Sequence, residues 1–82
     1  MAPPPSALRP LMPFNVCANI TGTVWKIEVE RGDLVQPGQT LIILESMKME
    51  LAIEAELSGY VSKIWVAEGQ PVEQGQTLLT LA

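Results

Sequence analysis

Two copies of one sequence pattern make up most of this chain, and the duplication constrains its fold more than any other feature. Residues 20 to 45 align without a gap with residues 57 to 82, at an offset of 37, and twelve of the 26 aligned positions are identical. The identical pairs are Gly22/Gly59, Val24/Val61, Lys26/Lys63, Ile27/Ile64, Val29/Val66, Gly32/Gly69, Val35/Val72, Gly38/Gly75, Gln39/Gln76, Thr40/Thr77, Leu41/Leu78 and Leu44/Leu81. Neither copy is long enough to bury a core of its own. We therefore expect both copies to share one interior in a single domain.

The composition excludes several classes of function. The net charge is −4 with only five Lys and Arg, which argues against a nucleic-acid partner because phosphate contacts need a clustered positive surface. Apolar runs reach only four residues, as in Leu41 to Leu44, whereas a membrane span needs about 20. The N-terminus has no long apolar stretch that would indicate a secretory signal. These features predict a soluble cytoplasmic protein, or a mitochondrial matrix protein in a eukaryote.

The residues that commonly carry catalysis or bind metals are scarce. The chain has no His, so a Cys/His metal site is excluded and Cys17 lacks the usual base for nucleophilic catalysis. A single cysteine cannot form an internal disulfide, and we interpret Cys17 as a small apolar strand residue rather than a redox centre. We predict no catalytic residue and no metal ligand.

The first 15 residues differ in composition from the rest. Five of the seven prolines lie there, which favours an extended, polyproline-like tether; a poorly ordered terminus without function is an equal alternative. The predicted division is a Pro-rich segment over residues 1 to 15 and a folded domain over residues 16 to 82.

Residues 16 to 82 show the pattern of short β-strands. Glycines recur between segments of β-branched and aliphatic residues, and we assign the repeated glycines to turns. In the first copy Trp25, Ile27 and Val29 alternate with polar residues, which predicts a half-buried strand with Trp25 on the buried side. In the second copy the same alternation places Trp65 on the outside. The Leu41/Leu44 and Leu78/Leu81 pairs have a spacing of three, and a β-bulge would allow both leucines of a pair to face inward. The sequence predicts two four-strand units related by a pseudo-twofold axis.

Lys48 lies in the segment between the two copies, which has no counterpart in the duplication. The local sequence is Glu45-Ser46-Met47-Lys48-Met49-Glu50. We predict a hairpin turn at Lys48 followed by a strand, because the stretch is short and lies between strand patterns. A hairpin tip would hold the amine clear of the core while the flanking strands fix its direction.

The Met-Lys-Met triplet between the duplicated half-motifs resembles the signature of the biotinyl/lipoyl attachment domain. The similarity covers residues 16 to 82 and includes Glu45, two residues before Met47. It is strongest for the biotin carboxyl carrier domain of biotin-dependent carboxylases. Ser46 stands where many carriers have Ala, which leaves the motif intact. The constant offset leaves no room for the protruding thumb loop of some carriers, so the chain resembles the thumbless type.

This resemblance implies an all-β fold, a flattened barrel of two four-stranded antiparallel sheets with the modified lysine on a β-turn. It implies covalent biotin on Lys48, with Met47 and Met49, and less directly Glu45 and Glu50, recognised by a biotin protein ligase. The domain would then carry carboxyl groups as carboxybiotin between a biotin carboxylase and a carboxyltransferase, without being an enzyme itself.

Three alternatives stay open on the sequence. A lipoyl group, or either group, could be attached to Lys48, although lipoyl motifs usually place an acidic residue before the lysine and a small one after it, where this chain has Met47 and Met49. The barrel could be an unmodified structural or adaptor domain. An enzyme is the least favoured alternative, because no paired-carboxylate pocket or phosphate-binding loop is recognisable.

Overall fold

The computed structural model describes residues 13–82, and these residues form eight β-strands. The strands are β1 (Phe14–Cys17), β2 (Gly22–Ile27), β3 (Leu34–Val35), β4 (Thr40–Ser46), β5 (Met49–Glu54), β6 (Gly59–Ile64), β7 (Pro71–Val72) and β8 (Thr77–Leu81). No helix occurs within this range, and so none that could cross a membrane. The Pro-rich segment predicted over residues 1 to 15 lies almost entirely outside the described residues.

The strands form two four-stranded antiparallel sheets, with the orders β1-β8-β6-β3 and β5-β4-β2-β7. This confirms the predicted fold class. Each sheet takes two strands from each half of the chain, so neither half forms a sheet alone. The shared interior between the sheets is aliphatic: Val24, Val35, Leu41, Ile42, Leu44, Val61, Leu78, Leu79 and Leu81 are almost completely buried.

Hydrogen bonds outside the strands repeat the symmetry of the sequence. The Gly32 amide donates to the Val61 carbonyl at 2.7 Å, and the Gly69 amide donates to the Val24 carbonyl at 2.7 Å. Since each donor and acceptor is related to its mate by the 37-residue offset, the two halves exchange these bonds reciprocally. The pseudo-twofold relation predicted from the sequence is therefore present in the backbone.

The irregular leucine spacing is explained by β-bulges. Leu41 is the extra residue where β4 pairs with β5, and Leu78 is the extra residue where β8 pairs with β1. An extra residue shifts the phase of the strand, so two adjacent residues face the same side. Leu41 and Leu44 are consequently both fully buried, as are Leu78 and Leu81.

A further bulge, in β2, corrects the prediction for Trp25. The pairing of β2 with β4 passes from Val24 directly to Lys26, which leaves Trp25 as the extra residue. Val24 takes the buried position, and Trp25 is 47% exposed. The alternation that predicted a buried Trp25 ignored this change of phase. Trp65, predicted to face outward, is 54% exposed, and its Nε1 donates a hydrogen bond to Thr80 Oγ1 at 3.0 Å.

The assignment of all repeated glycines to turns is also only partly correct. Gly32, Gly38, Gly69 and Gly75 have φ between 87° and 96°, a conformation that glycine adopts without steric cost. Gly22 and Gly59 instead begin β2 and β6. These two glycines therefore need a different explanation, and for Gly22 it involves the hairpin that contains Lys48.

Candidate functional site

Lys48 lies at the tip of the hairpin formed by β4 and β5. Ser46 pairs with Met49 across the two strands, so Met47 and Lys48 alone form the connecting turn. Both are exposed, Met47 to 92%. The turn predicted at this lysine is confirmed, and its amine is presented away from the core.

The two turn residues have an unusual backbone conformation. Met47 has a φ of 53° and Lys48 a φ of 66°, and they are the non-glycine residues with positive φ among residues 13–82. A two-residue hairpin turn with positive φ at both positions matches the type I′ turn, which favours Asn-Gly because other residues are strained there. A left-handed conformation costs a side-chain-bearing residue roughly 1–2 kcal/mol. The turn therefore retains Met and Lys at positions whose left-handed backbone glycine would adopt without steric cost.

The side chains around the tip are exposed and of two kinds. Met49, the first residue of β5, is 60% exposed, so two methionines flank the lysine at the surface. Glu45 and Glu50 are exposed cross-strand partners just below the turn. Like charges placed opposite each other destabilise a hairpin slightly. The structure thus brings together all five predicted site residues, Glu45, Met47, Lys48, Met49 and Glu50.

Gly22 lies against the tip end of this hairpin, next to the last residues of β4. It is the first residue of β2, which pairs with β4 through Thr23 and Glu45. A Cβ atom at Gly22 would lie 2.5 Å from the Glu45 carbonyl oxygen and 3.4 Å from Ser46 Cβ. Sequence analysis missed this contact because Gly22 is one of six repeated glycines that were all assigned to turns. Gly22 directly precedes an apolar alternation and is not part of a Pro-Gly or Gly-Asp pair. That position was the available signal that Gly22 begins a strand.

Other candidate features lie away from the tip. Cys17 is in β1 as predicted, but its side chain is exposed, so it is not a buried apolar residue. It lines an open groove of about 340 Å³ between β1 and β5, together with Asn15, Val16, Asn19, Ala52, Ile53 and Glu54. Among the described residues no group of His, Cys, Asp and Glu is arranged to hold a metal ion.

The comparisons with known proteins agree with this geometry. The family model described as "Biotin-requiring enzyme" matches residues 15–81. The chain is 44% identical over 43 residues to the biotin/lipoyl attachment protein of Bacillus subtilis, covering 52% of this chain and 59% of that protein. It is 53% identical over 36 residues to the methylmalonyl-CoA carboxyltransferase 1.3S subunit of Propionibacterium freudenreichii, covering 44% of this chain and 29% of that subunit.

A solved structure is similar over most of the domain. The Kluyveromyces lactis urea carboxylase superposes with a TM-score of 0.82 and 34% sequence identity, over 89% of this chain and 6% of the carboxylase. The chain spans less than two thirds of the length of each of these relatives. Because the family match includes both sheets and the Lys48 hairpin, the chain belongs to the biotin/lipoyl attachment domain family.

Proposed function

We propose that this domain is a biotin carboxyl carrier, with biotin joined to Lys48 Nζ by an amide bond. The observation that carries the proposal is the exposed Lys48 in a two-residue turn between two exposed methionines. Similar proteins include a urea carboxylase and a subunit of a carboxyltransferase, and this supports biotin over lipoate as the group attached to Lys48. The domain is a carrier rather than a catalyst.

The residues at the tip fit covalent attachment. A biotin protein ligase would present biotin as the acyl adenylate; the neutral Lys48 amine would attack the acyl carbonyl carbon, the bond to AMP would break, and the amine would lose a proton as the amide forms. The chain has no His, and the base is therefore assigned to the ligase. The exposed turn allows the lysine to enter an active site without unfolding of the barrel.

After attachment, the domain would act by positioning and transport. Biotin supplies a ureido nitrogen that accepts and releases a carboxyl group. The barrel holds the attachment point on an exposed hairpin turn, and tethering raises the effective concentration of the group at successive active sites. We propose a biotin carboxylase and a carboxyltransferase as the partners that own those sites.

The test uses the purified 82-residue chain, biotin, ATP and a biotin protein ligase, with intact mass as the readout. We expect one biotinyl group per chain, and none in Lys48→Arg. Lys26 and Lys63 lie in β2 and β6 and serve as internal controls that should stay unmodified. Labelling of Lys48→Arg would contradict the proposal by showing that another lysine accepts biotin. A wild-type chain that is never biotinylated would also contradict it and would favour the lipoyl or the unmodified adaptor alternative.

A further inference from the structure

We infer that Gly22 is a positioning residue for Lys48, although the two are 26 positions apart in the sequence. The inference rests on the proposed function only for its ligase assay. Its structural basis is the close approach of β2 to the backbone immediately before the tip. Any side chain at position 22 would have to displace the Glu45 carbonyl, since the Cβ would be 2.5 Å from that oxygen.

The tip hairpin has lateral support on one side only. β5 is an edge strand, whereas β4 lies between β5 and β2. The pairing of β2 with β4 extends to Thr23 and Glu45, so Gly22 makes the last contact with β4 before the turn. On its other side Gly22 pairs with Val72 of β7. Gly22 is therefore held by a neighbouring strand on each side, and it restricts the movement of the end of β4.

This support matters because the turn is strained. Positive φ at both Met47 and Lys48 is maintained only if the surrounding structure prevents relaxation. Displacement of the Glu45 carbonyl would move the Ser46 and Met49 pair that closes the turn. The expected result of a Cβ at position 22 is a turn that samples other conformations and no longer aims the lysine in one direction.

The duplication provides a matched control at Gly59, which begins β6 as Gly22 begins β2. The repeat mate of Glu45 is Ala82. Ala82 exchanges two backbone hydrogen bonds with Tyr60, from Tyr60 N to Ala82 O at 2.9 Å and from Ala82 N to Tyr60 O at 2.8 Å. Gly59 thus directly precedes the residue that is bonded to Ala82, as Gly22 precedes the residue that pairs with Glu45, and it lies in a different sheet from the Lys48 hairpin. A change there tests what a strand-initial alanine does to the fold alone.

The experiment compares wild type, Gly22→Ala and Gly59→Ala as 82-residue chains. The first readout is the initial rate of biotinylation by a biotin ligase, corrected for the folded fraction. We expect Gly22→Ala to be modified about tenfold to a hundredfold more slowly, and Gly59→Ala at the wild-type rate. Equal slowing in both variants, or no slowing in Gly22→Ala, overturns the inference.

The second readout needs no biotin and separates this inference from the proposed function. A residue with positive φ shows a strong intraresidue NOE between its amide and α protons. We expect strong signals at Met47 and Lys48 in wild type and in Gly59→Ala, and weakened signals in Gly22→Ala. If wild type is never biotinylated, the proposed function fails while this comparison still decides the role of Gly22. Unchanged signals in Gly22→Ala overturn the inference. Trimethylamine N-oxide, which is excluded from protein surfaces and favours the folded state, keeps a destabilised variant measurable.

Discussion

Leu41 and Leu78 occupy the same place in the two halves of the barrel, and each is the extra residue of a β-bulge with a fully buried side chain. Each bulge turns two adjacent residues inward, Leu41 with Ile42 and Leu78 with Leu79. The shared core therefore depends on the same local irregularity in both halves.

The first prediction follows from this pair. We expect Leu41→Ala and Leu78→Ala each to lower the free energy of unfolding by about 2–5 kcal/mol, because each removes fully buried methyl groups and leaves a cavity. Urea denaturation monitored by circular dichroism measures the decrease in the free energy of unfolding. A control at the exposed Glu28, changed to Ala, should have little effect. A loss below about 1 kcal/mol in either leucine variant would show that the bulged leucines do not anchor the core.

The second prediction concerns the strain in the turn. Met47→Gly should raise or leave unchanged the free energy of unfolding, because relief of a left-handed conformation by roughly 1–2 kcal/mol exceeds or offsets the entropic cost of glycine, roughly 0.5–1 kcal/mol. Met49→Gly is the matched control, since Met49 lies in β5 outside the positive-φ pair, and it should destabilise the domain. Equal destabilisation by both changes would mean that the turn stores no strain.

The third prediction concerns the direction of the amine. The double change Met47→Lys with Lys48→Met keeps composition and charge but moves the amine by one residue. Both positions are exposed in the turn and have positive φ, so we expect the fold to be retained. Biotinylation should fall severely because the adjacent position projects its side chain in another direction. Circular dichroism checks the fold, and a timed ligase assay gives the rate. A relocated lysine that reacts as fast as Lys48 would show that the hairpin does not aim the amine.

The fourth prediction distinguishes the two possible prosthetic groups. Met47 and Met49 occupy the positions where lipoyl domains usually carry an acidic and a small residue, so we expect a biotin ligase to modify the chain faster than a lipoate ligase. Both ligases compete for the same apo-domain, and intact mass identifies the product. The paired change Met47→Asp with Met49→Ala should shift the preference toward lipoate. Preferential lipoylation of wild type would reverse the assignment.

Much of the fold was determined by the sequence alone. The duplication, the recurrent glycines and the short apolar alternations predicted two related four-strand units, because periodicity and turn residues act locally and can be read without coordinates. The unduplicated segment likewise predicted the position of Lys48 in a turn. The leucine spacing indicated a bulge, which the pairing of β4 with β5 contains.

Only the tertiary structure decided how distant segments meet. The bulge that exposes Trp25 depends on which residues β4 places opposite β2, and the pattern within β2 does not contain that information. The positive φ of Met47 and Lys48 was not predictable from residue type, since neither favours it. The close contact of Gly22 with Glu45 joins residues from different strands, and its physical reason is the packing distance between two backbones rather than any local preference of glycine.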